Sequence, residues 1–184
     1  MPDLDNFFVK WTPVFQSDLD LTKRHRMRCN TEVWRADVSH AYARIHIHLI
    51  FSTRDRKNLI SKEVQPELWS YMAGIFHNHG IATLAINGTE NHAHALFHLP
   101  GTISLSKAVS VLKANSSRWM NENRRGFAWQ DGYGAFSVSE SNTKAVIRYI
   151  RNQEHHHRKR SFEEEYMDFL KKHGIQFDPN NLFG

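Results

Sequence analysis

The strongest pattern of hydrophobic and polar residues begins just after residue 40. Over residues 44–51, apolar and polar side chains alternate, which is the period of a strand that buries one face. Residues 1–37 show neither this period nor that of a helix, so we interpret them as a loosely ordered extension. The first strand is predicted over the alternating segment, residues 44–51. Its buried side carries Ile45, Ile47, Leu49 and Phe51, and its other side carries Arg44, His46, His48 and Ile50.

The patterns that follow predict further helices and strands, bounded by turn residues and helix caps. A helix with Ser61 as its N-cap ends at Gly80, and a strand over residues 81–86 leads to a hairpin turn at Asn87-Gly88. The remaining predicted elements are a strand over residues 92–99, a helix over 104–125, a strand over 133–139, a helix over 141–157 and a short helix over 161–173 that ends at Gly174.

The order strand, helix, strand, strand, helix, strand is that of the split βαβ, or ferredoxin-like, fold. We therefore predict an α+β domain with a four-stranded antiparallel sheet and two helices on one face. The first and third strands are expected to be central neighbours, and the third helix to lie over or beside the opposite face. That opposite face is expected to carry His46, His48, His92, His94 and His98.

Length and composition agree with one domain and exclude several classes of protein. The chain has 184 residues, of which 40% are hydrophobic, and its apolar runs are too short to cross a membrane. The N-terminus lacks the pattern of a secretory signal, and a single cysteine cannot form an internal disulfide. We expect a cytoplasmic protein without a membrane partner.

The positive charge of the chain lies outside its first 37 residues. The formal net charge is +5, and because six basic residues balance six acidic ones over residues 1–37, the excess belongs to residues 38–184. Such a charge suits a polyanion such as nucleic acid, although it also serves solubility alone. The 13 histidines are unusually many for this length, and several fall in predicted strands.

Two pairs of residues carry candidate chemistry. His92 and His94 are two positions apart on a strand, so their imidazoles point the same way and form half of a metal site. Tyr149 and Gln153 are four apart on a helix and share one face. Taken singly, a strand His-x-His is more often a surface or supporting pair, and a helical tyrosine is usually packing. The combination of the two pairs favours a metal-assisted phosphate chemistry.

These motifs resemble the single-tyrosine HUH transposases of small bacterial insertion sequences that move as single-stranded DNA, a group related to the REP-associated tyrosine transposases. The resemblance covers about residues 38–183, and its motifs are a histidine-hydrophobe-histidine segment and a downstream Tyr-x-x-x-Gln. The matching segments are HIHLIFSTRDRK, GTENHAHALFHLP, KANSSRW, GYGAFSVSESN and VIRYIRNQEHHHRKRSFEEE.

The resemblance implies a role for each motif residue. His92 and His94 correspond to the metal ligands of the family, Gln153 to the third ligand and Tyr149 to the nucleophile. The expected cofactor is a divalent ion, Mg²⁺ or Mn²⁺, and no nucleotide cofactor is expected. Asn91 stands where such sequences commonly carry Asp, which removes a carboxylate that could orient a ligand imidazole.

The resemblance also implies a mechanism and partners. The tyrosine attacks a phosphate in single-stranded DNA, forms a 5′-phosphotyrosine link and releases a 3′-hydroxyl, which can later reverse the attack and join new ends. Family members recognise hairpins near the ends of their elements, and many are homodimers in which the tyrosine helix of one subunit completes the histidine pair of the other. The implied location is the bacterial cytoplasm, in association with DNA.

Several further residues are candidates for DNA contact or for support of the metal site. His46, His48 and Asn91 are candidates for support, although a structural role for the two histidines is about as plausible. The run His155 to His157 resembles a metal tract, but we interpret it as a basic, DNA-facing or solvated helix end. The candidates for DNA contact, each of which could equally be a solvated charge, are Arg54, Arg56, Lys57, Arg118, Arg151, Arg158 and Lys159.

Two other functions compete with a transposase. One is a non-catalytic module that binds RNA or DNA on a ferredoxin-like sheet, but such modules usually expose stacking aromatic residues where this chain has histidines. The other is a replication or conjugation nickase with the same HUH chemistry, but those chains are usually larger and carry added domains. Metal-dependent cleavage separates the first of these from a transposase.

We predict that residues 1–37 are an N-terminal extension to a transposase-like domain of residues 38–184. Its expected origin is a start codon assigned too far upstream, with a GTG codon at Val38 as the true start. Mass spectrometry of the native protein is then expected to find no peptide from residues 1–30. Peptides from that segment would show that the extension is translated.

Overall fold

A computed structural model describes residues 42–123, 126–158, 160–179 and 182. The predictions made for residues 1–37 and for Lys159 lie outside these residues. Within the described part of the chain, no helix is long and apolar enough to cross a bilayer.

Four strands form one antiparallel sheet in the order β2-β3-β1-β4. They are β1 (His46–Ser52), β2 (Ala82–Gly88), β3 (His92–His98) and β4 (Gly134–Val138). The first and third strands are central neighbours, with Leu49 opposite Ala95 and Ile50 opposite His94. The predicted α+β fold of the split βαβ type is therefore confirmed.

Helices α1 (Gln65–Asn78) and α2 (Leu105–Asn123) cover one face of the sheet, and the main core lies between them and the strands. Phe97 of β3 packs on Phe76 of α1 with their ring centroids 4.6 Å apart. Burial of each such side chain contributes about 1.5–3 kcal/mol to folding. Ile47, Leu49 and Phe51, which were predicted to face inwards, belong to this core together with Ala93, Ala95 and Phe97. Ile45 does not, because it precedes β1 and is 41% exposed.

Two predicted boundaries on this side of the fold are wrong. Helix α1 begins at Gln65 rather than behind Ser61, because residues 62–64 form a turn, and Pro66 supplies a fixed φ in the first helical turn. The hairpin turn is not at Asn87-Gly88, because β2 continues through Gly88, which pairs with Ala93. The turn instead lies between Gly88 and His92, and the Thr89 N–H closes it by donating to the His92 carbonyl at 3.1 Å.

Helices α3 (Thr143–Arg151), α4 (Gln153–His157) and α5 (Phe162–Lys172) form the layer on the other face. The prediction of one helix over residues 141–157 is wrong, because the chain leaves helical geometry at Asn152, with φ −101° and ψ 21°. The Asn87 amide donates to the carbonyls of Ile150 at 3.0 Å and Arg151 at 3.1 Å. These carbonyls are the ones that residues four positions later would need to continue the helix.

The last helix agrees with its prediction. Ser161 and Glu164 form a capping box at the start of α5, in which each side chain accepts a hydrogen bond from the other's backbone N–H. Gly174, with a φ of 67°, follows the helix end, where a left-handed residue is common.

We predict that Gly88→Ala lowers the free energy of unfolding by about 2 kcal/mol or more, because overpacking against backbone is costly. A Cβ at Gly88 would lie 2.1 Å from the His92 carbonyl oxygen, so the strand that carries His92 would have to shift. Urea denaturation measures the change. Gly101→Ala is the matched control, since a Cβ there meets no atom within 4 Å. Equal stability of the two variants would contradict the prediction.

Candidate functional site

A cluster of buried polar side chains lies between the sheet and helices α3, α4 and α5. His92 and His94 point to this side because strand side chains alternate, whereas Ala93 and Ala95 enter the core on the other side. Both histidines are fully buried. The pair predicted from the sequence therefore lies in a space enclosed by protein rather than on an open surface.

His157 of α4 and Glu165 of α5 meet the two strand histidines. One ligand atom from each of these four residues lies within 4.8 Å of all the others. Glu165 Oε2 is 3.0 Å from His157 Nε2 and 3.6 Å from His94 Nε2. Neither Glu165 Oε2 nor His94 Nε2 makes a hydrogen bond within the described residues. Three imidazoles and a carboxyl group thus converge on one point.

The outer nitrogen of each imidazole in the cluster has a partner. His92 Nδ1 lies 2.7 Å from Asn91 Oδ1, His94 Nδ1 lies 3.0 Å from His48 Nε2, and His157 Nδ1 lies 3.0 Å from the Arg160 carbonyl. When each Nδ1 carries the ring proton, Nε2 has a free lone pair directed inwards. Partners of this kind fix the tautomer and the orientation of histidines that bind metals.

The charges of the cluster follow from its burial. Burial lowers the pKa of His92 well below its usual range and lowers that of His94 to about 3. Burial also lowers the pKa of His157, and it raises the pKa of Glu165 to about 8. Without a cation, the imidazoles are neutral and the carboxyl group is largely protonated near pH 7. The cluster therefore offers neutral nitrogen donors and one acid that a cation would ionise.

Gln153 opens α4 and is also fully buried in this cluster. Its Oε1 lies 2.9 Å from His157 Nε2 and 3.4 Å from His92 Nε2, and its Nε2 lies 3.5 Å from Glu165 Oε1. The structure therefore brings together His92, His94 and Gln153, the set that the resemblance implied. The break at Asn152 places Gln153 on a different helix from Tyr149, although the spacing of four is kept.

Tyr149 lies in the last turns of α3, beside the same cluster. Its ring packs edge-on against His94 at 5.9 Å, His48 at 6.1 Å and Phe169 of α5 at 5.9 Å between centroids. Its hydroxyl group is buried and has no hydrogen-bond partner within the described residues. A cleft of about 330 Å³ borders the ring, between β4, α3 and α5. The tyrosine and the histidine pair thus meet within one chain.

The sequence interpretation missed two members of the cluster. His157 was assigned to a basic helix end, yet its ring is half-buried and lies 4.4 Å from that of His92. Glu165 belongs to the acidic first turn of α5, and the sequence interpretation gave it no role. One signal could have identified it: with the capping box fixing the start of α5, Glu165 shares a helical face with Phe162 and Phe169. An acid within an apolar stripe marks a buried site.

The residues proposed to support the site separate into two groups. Asn91 and His48 contact His92 and His94 directly. His46 does not, because its partners are Thr143 Oγ1 at 3.4 Å and Glu140 Oε2 at 3.5 Å, at the other end of β1. The contacts of His46 therefore do not agree with the prediction that it supports the metal ligands.

The basic residues proposed for DNA contact are spread over the surface. Arg56 pairs with Glu163 of α5 at 2.9 Å, and Lys57 pairs with Asp55 at 2.9 Å. Arg118 donates to Asn115 Oδ1 at 2.8 Å along α2. The other described candidates are the exposed side chains of Arg54, Arg151 and Arg158. A role of these residues in DNA binding stays a prediction.

This chain is similar to known proteins both in sequence and in structure. A family model described as "Transposase IS200 like" matches residues 41–153, which is more than half of the chain. A candidate transposase from Deinococcus radiodurans R1 is similar in structure, with 24% identity, a TM-score of 0.53 and coverage of 62% of this chain and 95% of that one. A REP-associated tyrosine transposase bound to a REP hairpin is similar with 15% identity, a TM-score of 0.50 and coverage of 66% and 74%. No curated protein matches the sequence.

We predict that tetranitromethane nitrates Tyr149 at least about tenfold more slowly than Tyr42, since a buried group reacts only through local opening. Tyr42 is 98% exposed and serves as the reference within the same chain. Peptide mapping by mass spectrometry measures both rates. Equal rates would contradict the burial of the Tyr149 hydroxyl group.

Proposed function

Because this chain belongs to the family of IS200-like transposases, we propose that it cleaves and rejoins single-stranded DNA through Tyr149 with the help of a divalent metal ion. The observation that carries the proposal is the contact of the Tyr149 ring with His94 beside the convergent imidazoles. A nucleophile and a candidate metal centre in one enclosed site are what this chemistry requires.

The buried residues fit a divalent ion. His92 and His94 direct their Nε2 atoms to one point, and Gln153 adds an amide oxygen. Glu165 is a buried carboxyl group, and its ion-pair contacts within the described residues are all to imidazoles. When bound, a Mg²⁺ or Mn²⁺ ion supplies charge stabilisation to the scissile phosphate and polarises its P–O bond. The histidines and the glutamine hold and orient it.

Tyr149 is the proposed nucleophile. Its phenolic oxygen forms a bond to phosphorus while the bond from phosphorus to the 3′-oxygen breaks, which leaves a 5′-phosphotyrosine and a free 3′-hydroxyl. The tyrosine loses its phenolic proton and the departing oxygen gains one, so no net charge is created. Because the phosphotyrosine conserves the bond energy, a second 3′-hydroxyl can reverse the step and join new ends.

The DNA partner is proposed to be a hairpin at the end of a mobile element. Support comes from the structural neighbour bound to a REP hairpin and from the positive charge of residues 38–184. The position of Tyr149 beside its own chain's histidines favours an active site assembled within one subunit. The homodimer remains a prediction from the resemblance.

The other functions considered from the sequence have less support. A nucleic-acid-binding module would present its sheet face to bases, whereas here α3, α4 and α5 cover that face and histidines line it. The family match identifies a transposase rather than a replication or conjugation nickase.

We predict that Tyr149→Phe abolishes the covalent protein–DNA adduct formed with hairpin-bearing single-stranded oligonucleotides in the presence of Mn²⁺, because phenylalanine has no nucleophilic oxygen. Denaturing gels of labelled oligonucleotides with randomised flanks measure the adduct. Tyr133→Phe is the matched control, because Tyr133 is an exposed tyrosine outside the cluster. An adduct that persists in Tyr149→Phe, or that forms equally well with a chelator, would overturn the proposal.

A further inference from the structure

We propose that His157 and Glu165 are ligands of the same ion that His92 and His94 hold, and that this larger ligand set selects Mn²⁺ and similar transition metals over Mg²⁺. The inference rests on the proposed metal-assisted function and extends it. Family resemblance implied two histidines and a glutamine, whereas the packing of α4 and α5 adds an imidazole and a carboxylate.

The distances in the cluster are close to those of ligands around one ion. Ligand atoms with bonds of 2.0–2.1 Å to a common ion lie about 3.3 Å apart in a tetrahedral site and about 3 Å apart at neighbouring octahedral positions. The observed separations are 3.0 Å for His157 Nε2 and Glu165 Oε2, and 3.6 Å for His94 Nε2 and Glu165 Oε2. Small side-chain movements would therefore complete the coordination.

His157 is held in the same way as the two strand histidines. Its Nδ1 lies 3.0 Å from the Arg160 carbonyl, as His92 Nδ1 lies 2.7 Å from Asn91 Oδ1. A ring proton on this outer nitrogen would donate to the carbonyl and leave the lone pair of Nε2 directed to Glu165. A solvated histidine at the end of a helix would need no such arrangement.

Glu165 is a buried acid whose neighbours are imidazoles. Its side chain is 2% exposed, and its ion-pair contacts within the described residues are to His94, His156 and His157. Burial of an ionised carboxylate without compensation costs several kcal/mol. No Lys or Arg of the described chain is in ion-pair contact with it, and a divalent ion at the centre of the cluster would supply the missing charge.

Gln153 and Glu165 together contribute oxygen donors, and the three histidines contribute nitrogen donors. Gln153 Oε1 faces the same centre, since it lies 2.9 Å from His157 Nε2 and 3.4 Å from His92 Nε2. Five donor atoms leave one position of an octahedral ion for a phosphate oxygen. The protein would thus fill most of the coordination sphere.

The nitrogen-rich donor set determines the metal preference. Mg²⁺ favours oxygen ligands and keeps several of its waters, whereas imidazole suits transition metals such as Fe²⁺, Ni²⁺ and Zn²⁺, and Mn²⁺ begins that series. A centre with three imidazoles inside the protein leaves little room for retained water. We therefore expect wild-type protein to bind Mn²⁺ on the order of a hundredfold more tightly than Mg²⁺.

The test measures Mn²⁺ binding by isothermal titration calorimetry and by electron paramagnetic resonance of the free ion. Glu165→Gln and His157→Asn are each expected to weaken Mn²⁺ binding by about tenfold or more, since losing even an outer contact of a ligand costs 10–100-fold. The matched controls are Glu154→Gln and His155→Asn on α4, which alter exposed side chains and are expected to leave the affinity unchanged.

Thermal melting separates ligand loss from misfolding. Without metal, Glu165→Gln is expected to melt at the wild-type temperature or above it, because it removes a buried acid that lacks a cation. The Tm of His157→Asn without metal is the reference for that variant. With Mn²⁺ the increase in Tm of both variants is expected to be smaller than that of wild type. Wild-type Mn²⁺ affinity in both variants, or equal affinity of wild type for Mn²⁺ and Mg²⁺, would overturn the inference.

Failure of the enlarged ligand set can be distinguished from failure of the proposed transposase chemistry. If wild type forms the Tyr149 adduct while both variants keep wild-type Mn²⁺ affinity, the enlarged ligand set is wrong and the transposase chemistry stands. If both variants lose Mn²⁺ affinity and wild type forms no adduct, the ligand set stands and the proposed chemistry is wrong. Tyr149→Phe is expected to bind Mn²⁺ as wild type does.

Discussion

The alternation of side chains along β3 is the constraint on which the rest of the structure depends. It sends Ala93, Ala95 and Phe97 into the core under α1 and α2, and it sends His92 and His94 to the opposite face. A shift of one residue would exchange the two sets, burying imidazoles among aliphatic side chains and exposing Phe97. The same register that stabilises the core therefore also brings together the two strand histidines of the candidate metal site.

The histidine face becomes an enclosed site only because helices cover it. Phe162 stacks on His92 with a centroid distance of 4.6 Å, and Phe169 packs on His48 at 5.2 Å. These aromatic contacts exclude water from the imidazoles, which lowers their pKa values and keeps their lone pairs available. Enclosure also strengthens the interaction of the site with any charge that enters it. The C-terminal helix is thus part of the chemistry as well as of the packing.

Sequence patterns and the resemblance predicted the elements of the fold and four of the six residues that meet at this site, which are His92, His94, Gln153 and Tyr149. The strand period placed His92 and His94 on one side, and the spacing of four kept Tyr149 and Gln153 close although the helix breaks between them. The break itself could not be predicted, because it depends on Asn87, a residue of a distant strand. His157 and Glu165 were missed for the same reason. The docking of α4 and α5 on the sheet decides where these two residues meet, and no local pattern encodes that. The apolar stripe of α5 indicates only that Glu165 is buried.

The two hydrogen bonds from Asn87 join the end of the tyrosine helix to the edge strand of the same chain. Ile150, next to Tyr149, is fully buried against that sheet. Exchange of the tyrosine helix between subunits would have to break both bonds and expose Ile150. Both bonds and the burial of Ile150 therefore hold the end of this helix beside the histidines of its own chain.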